Sequence, residues 1–164
     1  MFSNLSIPHN ENTIDYPFQD SKLPFADYIT QTKAIIGQRR TDLATATDPA
    51  SIIERNAPFE FRPEPVFLTN NRYKSAALLI HGLLDCPFSL RDIGLKLQQQ
   101  GVLCRSILLP GHGTNPSDML HVTHQEWMSA LRYGLESLRN EADNIYLMGY
   151  STGATLSVYQ ALLD

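Results

Sequence analysis

The residues Gly149-Tyr150-Ser151-Thr152-Gly153 form the pattern Gly-x-Ser-x-Gly. A pattern this short also occurs in ordinary turns, so its position decides its meaning. An apolar run, Ile145 to Met148, ends just before it, and a helical pattern, Thr152 to Leu163, begins inside it. A serine on a sharp strand-to-helix turn presents its hydroxyl at the end of a sheet, poised to attack a carbonyl carbon. Glycines two positions on either side leave room for the turn. The helix start adds unbonded N–H groups and the positive end of a dipole beside a developing oxyanion. The expected chemistry is acyl transfer on Ser151, with Gly149, Tyr150 and Gly153 shaping the turn and the N–H of Thr152 as one oxyanion donor.

A tetrahedral intermediate needs a second donor, expected from a loop after an earlier strand. His81-Gly82-Leu83-Leu84-Asp85 is such a loop, following the apolar run Ser75 to Ile80. Gly82 allows the backbone to approach a substrate closely, and the N–H of Leu83 is the candidate donor. His81 is read as shaping the loop, not as taking a proton. His112 lies in a later loop and is not read as the base. His121 and His124 have no third ligand at convincing spacing, so no metal site is expected. His9 carries no signal, and Asp85 and Asp118 read as loop-forming acids.

These groups must be held by a scaffold, and the sequence describes one. Polar residues 1–21, with Pro8 and Pro17, read as an irregular arm. Phe25, Tyr28, Ile29, Thr32 and Ile36 recur at helical spacing over Pro24 to Arg39. Asp48-Pro49 is an N-cap followed by proline at the first helical position, opening a short helix through Arg55. Ala57 to Pro65 holds three prolines and is an extended connection or an edge strand at best. Val66 to Thr69 forms a short strand. Ser75–Ile80, Val102–Leu109 and Ile145–Met148 read as strands. They alternate with helical patterns over Pro87–Gln100, with Leu90, Ile93 and Leu97 apolar, and after Thr123-His124-Gln125-Glu126. That last run is a capping box, and its helix places Trp127, Leu131, Leu135 and Leu138 on one face. Strand–helix alternation with short loops defines an α/β fold, a parallel sheet with helices on both faces. Two units are expected: residues 1–65 as an arm and helical extension, and residues 66–164 as the sheet-bearing unit.

Composition narrows the partners. The chain has 164 residues, 43% apolar and 18% charged, with a net charge of −4, as an ordinary globular domain does. Arg39-Arg40 is the longest basic run, so nucleic acid is not an expected partner. No phosphate-cradling glycine motif follows a strand, which removes nucleotide binding. Cys86 and Cys104 read as reduced, apolar fillers. The start of the chain lacks the charge and apolar pattern of a secretory signal, and no apolar run approaches the ~20 residues a bilayer requires. A cytoplasmic location without a membrane anchor is expected.

Three segments in order, Leu78-Leu79-Ile80-His81-Gly82-Leu83, Leu108-Leu109-Pro110-Gly111-His112-Gly113 and Leu147-Met148-Gly149-Tyr150-Ser151-Thr152-Gly153, resemble bacterial α/β-hydrolases of the carboxylesterase and monoacylglycerol-lipase type. The likeness spans about Val66 to Leu163. It implies hydrolysis of a small acyl ester through an acyl-enzyme on Ser151, without metal or organic cofactor. It also implies that an acid and then a histidine follow the serine, whereas the thirteen residues after Ser151 contain only Asp164 and no histidine. The chain therefore reads as the N-terminal half of such a domain, with its C-terminal strands and the rest of the triad missing, and with weak or no activity. The strand before Ser151 then becomes a sheet edge, open to self-association or a complementing chain. Two other readings stand beside this one: serine-dependent cleavage of a peptide, amide or thioester, and a non-catalytic half-hydrolase that binds a ligand or a complementing chain.

Overall fold

The computed structural model describes residues 14–163; His9 and Asp164, singled out above, lie outside them. In chain order the elements are helices α1 (Phe25–Arg39) and α2 (Pro49–Asn56), strands β1 (Phe59–Phe61), β2 (Leu68–Thr69) and β3 (Arg72–Ile80), helix α3 (Arg91–Gln99), strand β4 (Val102–Ile107), helix α4 (His124–Arg139), strand β5 (Ala142–Gly149) and helix α5 (Thr152–Ala161). Strand β3 is central. It pairs in parallel with β4 on one side, Ser75 opposite Val102 through Ile80 opposite Ile107, and with β5 on the other, Tyr73 opposite Ala142 through Ile80 opposite Gly149. The run Ala76 to Ile80 is buried on both faces, which is why it is continuously apolar where a half-exposed strand would alternate.

The sheet is mixed, not wholly parallel. Strand β1 pairs antiparallel with β4, so the proline-rich connection does supply an edge strand. Strand β2 is joined to β3 by a two-residue turn, Asn70-Asn71, with φ of 52° and 61° and Thr69 facing Arg72. Asparagine tolerates the left-handed region better than other residues with a Cβ, and this turn twists with its strands. Among the described residues β5 pairs with β3 alone, and Tyr146 and Met148 on it are exposed.

Successive residues of β3 serve two cores. Ala76, Leu78 and Ile80 meet α4 through Leu131, Leu135 and Leu138, and the N-terminal residues Phe18, Phe25 and Tyr28 join this same cluster. Ala77 and Leu79 pack with Leu90 and Cys104 on the α3 side. Gly134 of α4 faces Leu78, where an added Cβ would lie 2.7 Å from a methyl group. The α3 region departs from its apolar spacing. Pro87–Leu90 is a 3-10 turn, Ile93 is exposed, and Gly94 is the buried contact. A Cβ at Gly94 would stand 3.1 Å from Leu79 and Phe61, so the helix sits on the sheet through its smallest residue.

The N-terminal residues are bonded to the sheet's loops. The Tyr28 hydroxyl accepts from the Leu108 N–H at 3.2 Å and donates to its carbonyl at 3.4 Å. Tyr16 Oη accepts from the Gly111 N–H at 2.8 Å, so the arm read as irregular is docked from this residue onward. Arg39 grips Asp118 with two hydrogen bonds, and Asp118 also caps the Asn115–Asp118 turn. Asp118 is held below the usual carboxylate range: burial pushes it up, and the Arg39 and backbone hydrogen bonds outweigh that. Arg105, a charge in the middle of β4, is buried and meets Glu60 at 2.6 Å and Glu141 at 2.9 Å, the pairing that a buried guanidinium requires. Among the described residues no helix is long and apolar enough to cross a membrane.

Candidate active site

Strand β5 ends at Gly149, α5 starts at Thr152, and Ser151 sits between them with φ 52° and ψ −117°. That region is nearly closed to residues with a Cβ and costs about 1–3 kcal/mol. The surrounding bonds hold it in place. Tyr150 N–H donates to Ile80 O at 3.1 Å, continuing the β3–β5 ladder past the strand, and Gly153 N–H donates back to Tyr150 O at 2.9 Å. The Ser151 carbonyl accepts from Thr155 N–H at 3.1 Å, the first turn of α5. Ser151 is exposed.

Both glycines of the pattern have a measurable reason. A Cβ on Gly149 would fall 2.2 Å from the carbonyl carbon and oxygen of Gly153, and one on Gly153 would fall 2.1 Å from Ile80 O. Strand end and helix start thus touch backbone to backbone, and no side chain fits between them. Gly82 has the same role across the site: its Cβ would stand 2.9 Å from the Tyr150 ring and 3.3 Å from Ser151 Cβ. The loop after β3 and the serine turn are therefore in contact. Thr152 N–H lies in the first, unbonded turn of α5, and Leu83 is an exposed residue of the facing loop.

Gly82 O accepts from Asp85 N–H at 3.3 Å, closing a four-residue turn whose third residue, Leu84, has φ 57°. A turn of this kind normally places glycine or asparagine there. Sequence reasoning did not single out Leu84, because nothing in a leucine announces a positive φ. It also assigned no contact to His112. The structure gives one: Leu84 N–H donates to His112 Nε2 at 3.1 Å. His112 Nδ1 in turn donates to the carbonyls of Pro110 and Leu109 at 3.1 and 3.2 Å. His81 is fully buried, donates from Nδ1 to Gly82 O at 2.8 Å, and accepts at Nε2 from Leu109 N–H at 3.0 Å. Burial lowers both imidazoles below the ordinary histidine value, His81 to about 4. With all four ring nitrogens engaged by backbone, neither histidine is placed to take a proton from Ser151.

Two clefts of about 500 Å³ flank the loop. One, mostly apolar, runs beside Tyr150 over Leu79, Leu90, Ile93 and Met148. The other lies between the N-terminal helices and the loops, with Arg40, Asn56, Asp85 and His112 on its walls. His121 and His124 are exposed, and among the described residues no group of three or more potential ligands could hold a metal ion.

No protein-family model matches the chain. It is 31% identical over 98 residues to a thermostable monoacylglycerol lipase of Bacillus sp. (strain H-257), covering 60% of this chain and 38% of that protein. It is 30% identical over 84 residues to a carboxylesterase of Bacillus subtilis (strain 168), covering 51% of this chain and 34% of the relative. A solved structure from work on LipS and LipT, two metagenome-derived lipolytic enzymes, superposes with a TM-score of 0.55 at 24% identity. The overlap covers 63% of this chain and 39% of that one. The chain is thus an α/β protein with part of the α/β-hydrolase fold, similar in sequence to bacterial esterases and lipases. It spans somewhat over a third of the length of the curated relatives it matches.

Proposed function

We propose that this chain carries the nucleophile and the oxyanion donors of a serine ester hydrolase of the carboxylesterase or lipase type. The observation that carries the reading is Ser151, exposed at φ 52° and ψ −117° between β5 and α5 and in contact with the Gly82 loop. The similarity to an esterase and a lipase supports it. Ser151 Oγ would attack the carbonyl carbon of a small acyl ester. The carbonyl π pair would move to oxygen, where the N–H groups of Thr152 and Leu83 stabilise it; collapse would break the ester C–O bond, the leaving oxygen taking up the proton that Ser151 lost and departing as the alcohol, and water would then cleave the acyl group from Ser151 as the acid. No cofactor enters this scheme. The Ser151 proton requires a base, and His81 and His112 have both ring nitrogens engaged by backbone. The chain by itself is therefore proposed to be slow.

The test is covalent labelling by a fluorophosphonate probe, read by mass. Slow modification of one residue, absent in Ser151→Ala, is the expected result. Labelling that persists unchanged in Ser151→Ala would remove the assignment. Rapid labelling confined to Ser151 would keep the nucleophile and overturn the claim that this chain lacks a competent base.

A further inference from the structure

His81 and His112 form a reciprocal pair. Each follows a neighbouring parallel strand, β3 for His81 and β4 for His112. Each donates from Nδ1 to a carbonyl of its own loop and accepts at Nε2 from an N–H of the other loop: Leu109 N–H to His81 at 3.0 Å, Leu84 N–H to His112 at 3.1 Å. The rings meet edge to face with centroids 4.8 Å apart. Two loops that no strand ladder joins beyond Ile80 and Ile107 are thus tied by two crossed imidazole bridges.

We propose that His112, through this pair, is a positioning residue for the proposed acyl chemistry: it holds the Gly82–Asp85 turn, and so the Leu83 N–H, in the geometry that faces Ser151. The inference rests on the reading of Leu83 as an oxyanion donor. Leu84 makes the need for such a hold concrete. At φ 57° a leucine stores strain, and its N–H bond to His112 opposes relaxation of the turn alongside the Asp85 N–H bond to Gly82 O. The acceptor exists only while the imidazole is neutral. Protonated His112 would turn N–H against N–H and release Leu84.

The groups facing His112 come from four directions. His81 and Asp85 lie on the loop after β3, and Asp85 favours protonation of His112. The Tyr16 and Tyr28 hydroxyls approach from the N-terminal residues. Arg40 and Asp42 line a separate cleft that His112 also walls, and are paired to each other at 2.7 Å. On α4 the Trp127 ring has its centroid 6.0 Å from that of His112, with its N–H on Pro110 O. The hold on the His112 loop therefore depends in part on the N-terminal helices.

The experiment is a pH series by NMR on the full chain labelled with ¹⁵N. At neutral pH a ¹⁵N–¹⁵N scalar coupling across the hydrogen bond should join Leu84 N to His112 Nε2. On acidification the coupling should vanish, and the Leu83 and Leu84 amide shifts should move with the midpoint of the His112 ring. A missing coupling at neutral pH, or a Leu83 amide that ignores His112 protonation, overturns the proposal. His112→Phe should give Leu83 and Leu84 amide shifts displaced as in acid, with the β3 amides unchanged; native Leu83 and Leu84 shifts in that variant also overturn it. If the variant does not fold, the wild-type series decides alone. A Ser151 that refuses the fluorophosphonate leaves the coupling intact and sinks only the hydrolase reading, so the two failures are distinguishable.

Discussion

Replacing Gly153 by alanine should cost this protein more than its one added methyl implies. The new Cβ would lie 2.1 Å from Ile80 O and 2.7 Å from both Ile80 C and His81 O. A close carbon–oxygen contact is about 3.3 Å, so about 1 Å of separation must be found between two backbones. Neither yields cheaply: Ile80 ends the central strand and accepts from Tyr150 N–H, while Gly153 lies in the first turn of α5 and donates to Tyr150 O. Overpacking of a well-filled core costs about 1–3 kcal/mol, and more when the obstruction is backbone, so a loss of about 3 kcal/mol or more is expected. The control is Gly37→Ala in α1, where the nearest atom is Ile53 Cδ1 at 3.4 Å. There the helix gains propensity, and a stabilisation of about 0.5–1 kcal/mol is expected. Urea unfolding followed by circular dichroism, extrapolated linearly, compares the two. In thermal melts the losing variant should fall by roughly 6–12 °C, at about 2–4 °C per kcal/mol for a chain of this size. Two substitutions of identical chemistry should thus move stability in opposite directions. A Gly153→Ala variant within about 0.5 kcal/mol of wild type, inside the range of ordinary surface changes, would refute the claim that the serine turn is closed by backbone contact.

Three further outcomes are expected. Ser151→Gly should raise stability by about 1–2 kcal/mol, since the strained backbone at φ 52° suits glycine; a melting temperature at or below wild type contradicts the strain. The buried histidines set an acid limit. Their folded values are lowered, His81 to about 4, so below about pH 6.5 the unfolded chain binds more protons and stability falls as pH falls. The loss tied to His81 approaches about 3 kcal/mol near pH 4; unchanged denaturant midpoints between neutral pH and pH 5 would show that these rings are not held neutral. Finally, the β5 edge, with Tyr146 and Met148 exposed, should drive association with a second copy. Sedimentation of the Tyr146→Lys/Met148→Lys variant should show more monomer than wild type, because edge charges oppose strand pairing, and equal distributions would place any association elsewhere.

Much of this protein is legible without coordinates. The alternation of continuous apolar runs with helical spacing yields the order of strands and helices. The cap signals Asp48-Pro49 and Thr123 to Glu126 mark helix starts that the structure reproduces, with Asp48 accepting from Ser51 N–H and Thr123 exchanging bonds with Glu126. The serine between glycines is legible because strand end and helix start touch backbone to backbone there, and only glycine two residues away on each side fits. Burial, by contrast, depends on which neighbour arrives. Gly94 replaces Ile93 at the sheet, where Phe59, Phe61 and Leu79 come within 3.1–3.2 Å of the place a Cβ would take, and no periodicity in α3 records that approach. Arg105 is tolerated in a buried strand because Glu60 and Glu141, 45 and 36 residues away in the chain, converge on it.

The division is one of range. Residue type and spacing determined the local conformations: the strand runs, the helix caps, the turn around Ser151 and the glycines that permit it. Only the tertiary structure decided which of these segments touch. It set β5 beside β3, brought Gly82 against Ser151, docked Tyr16 and Tyr28 on the loops after β4, and crossed His81 with His112 over a separation of 28 residues in each hydrogen bond. A hydrogen bond between distant loops leaves no periodic trace in the chain, because its two partners are chosen by the packing of the strands between them.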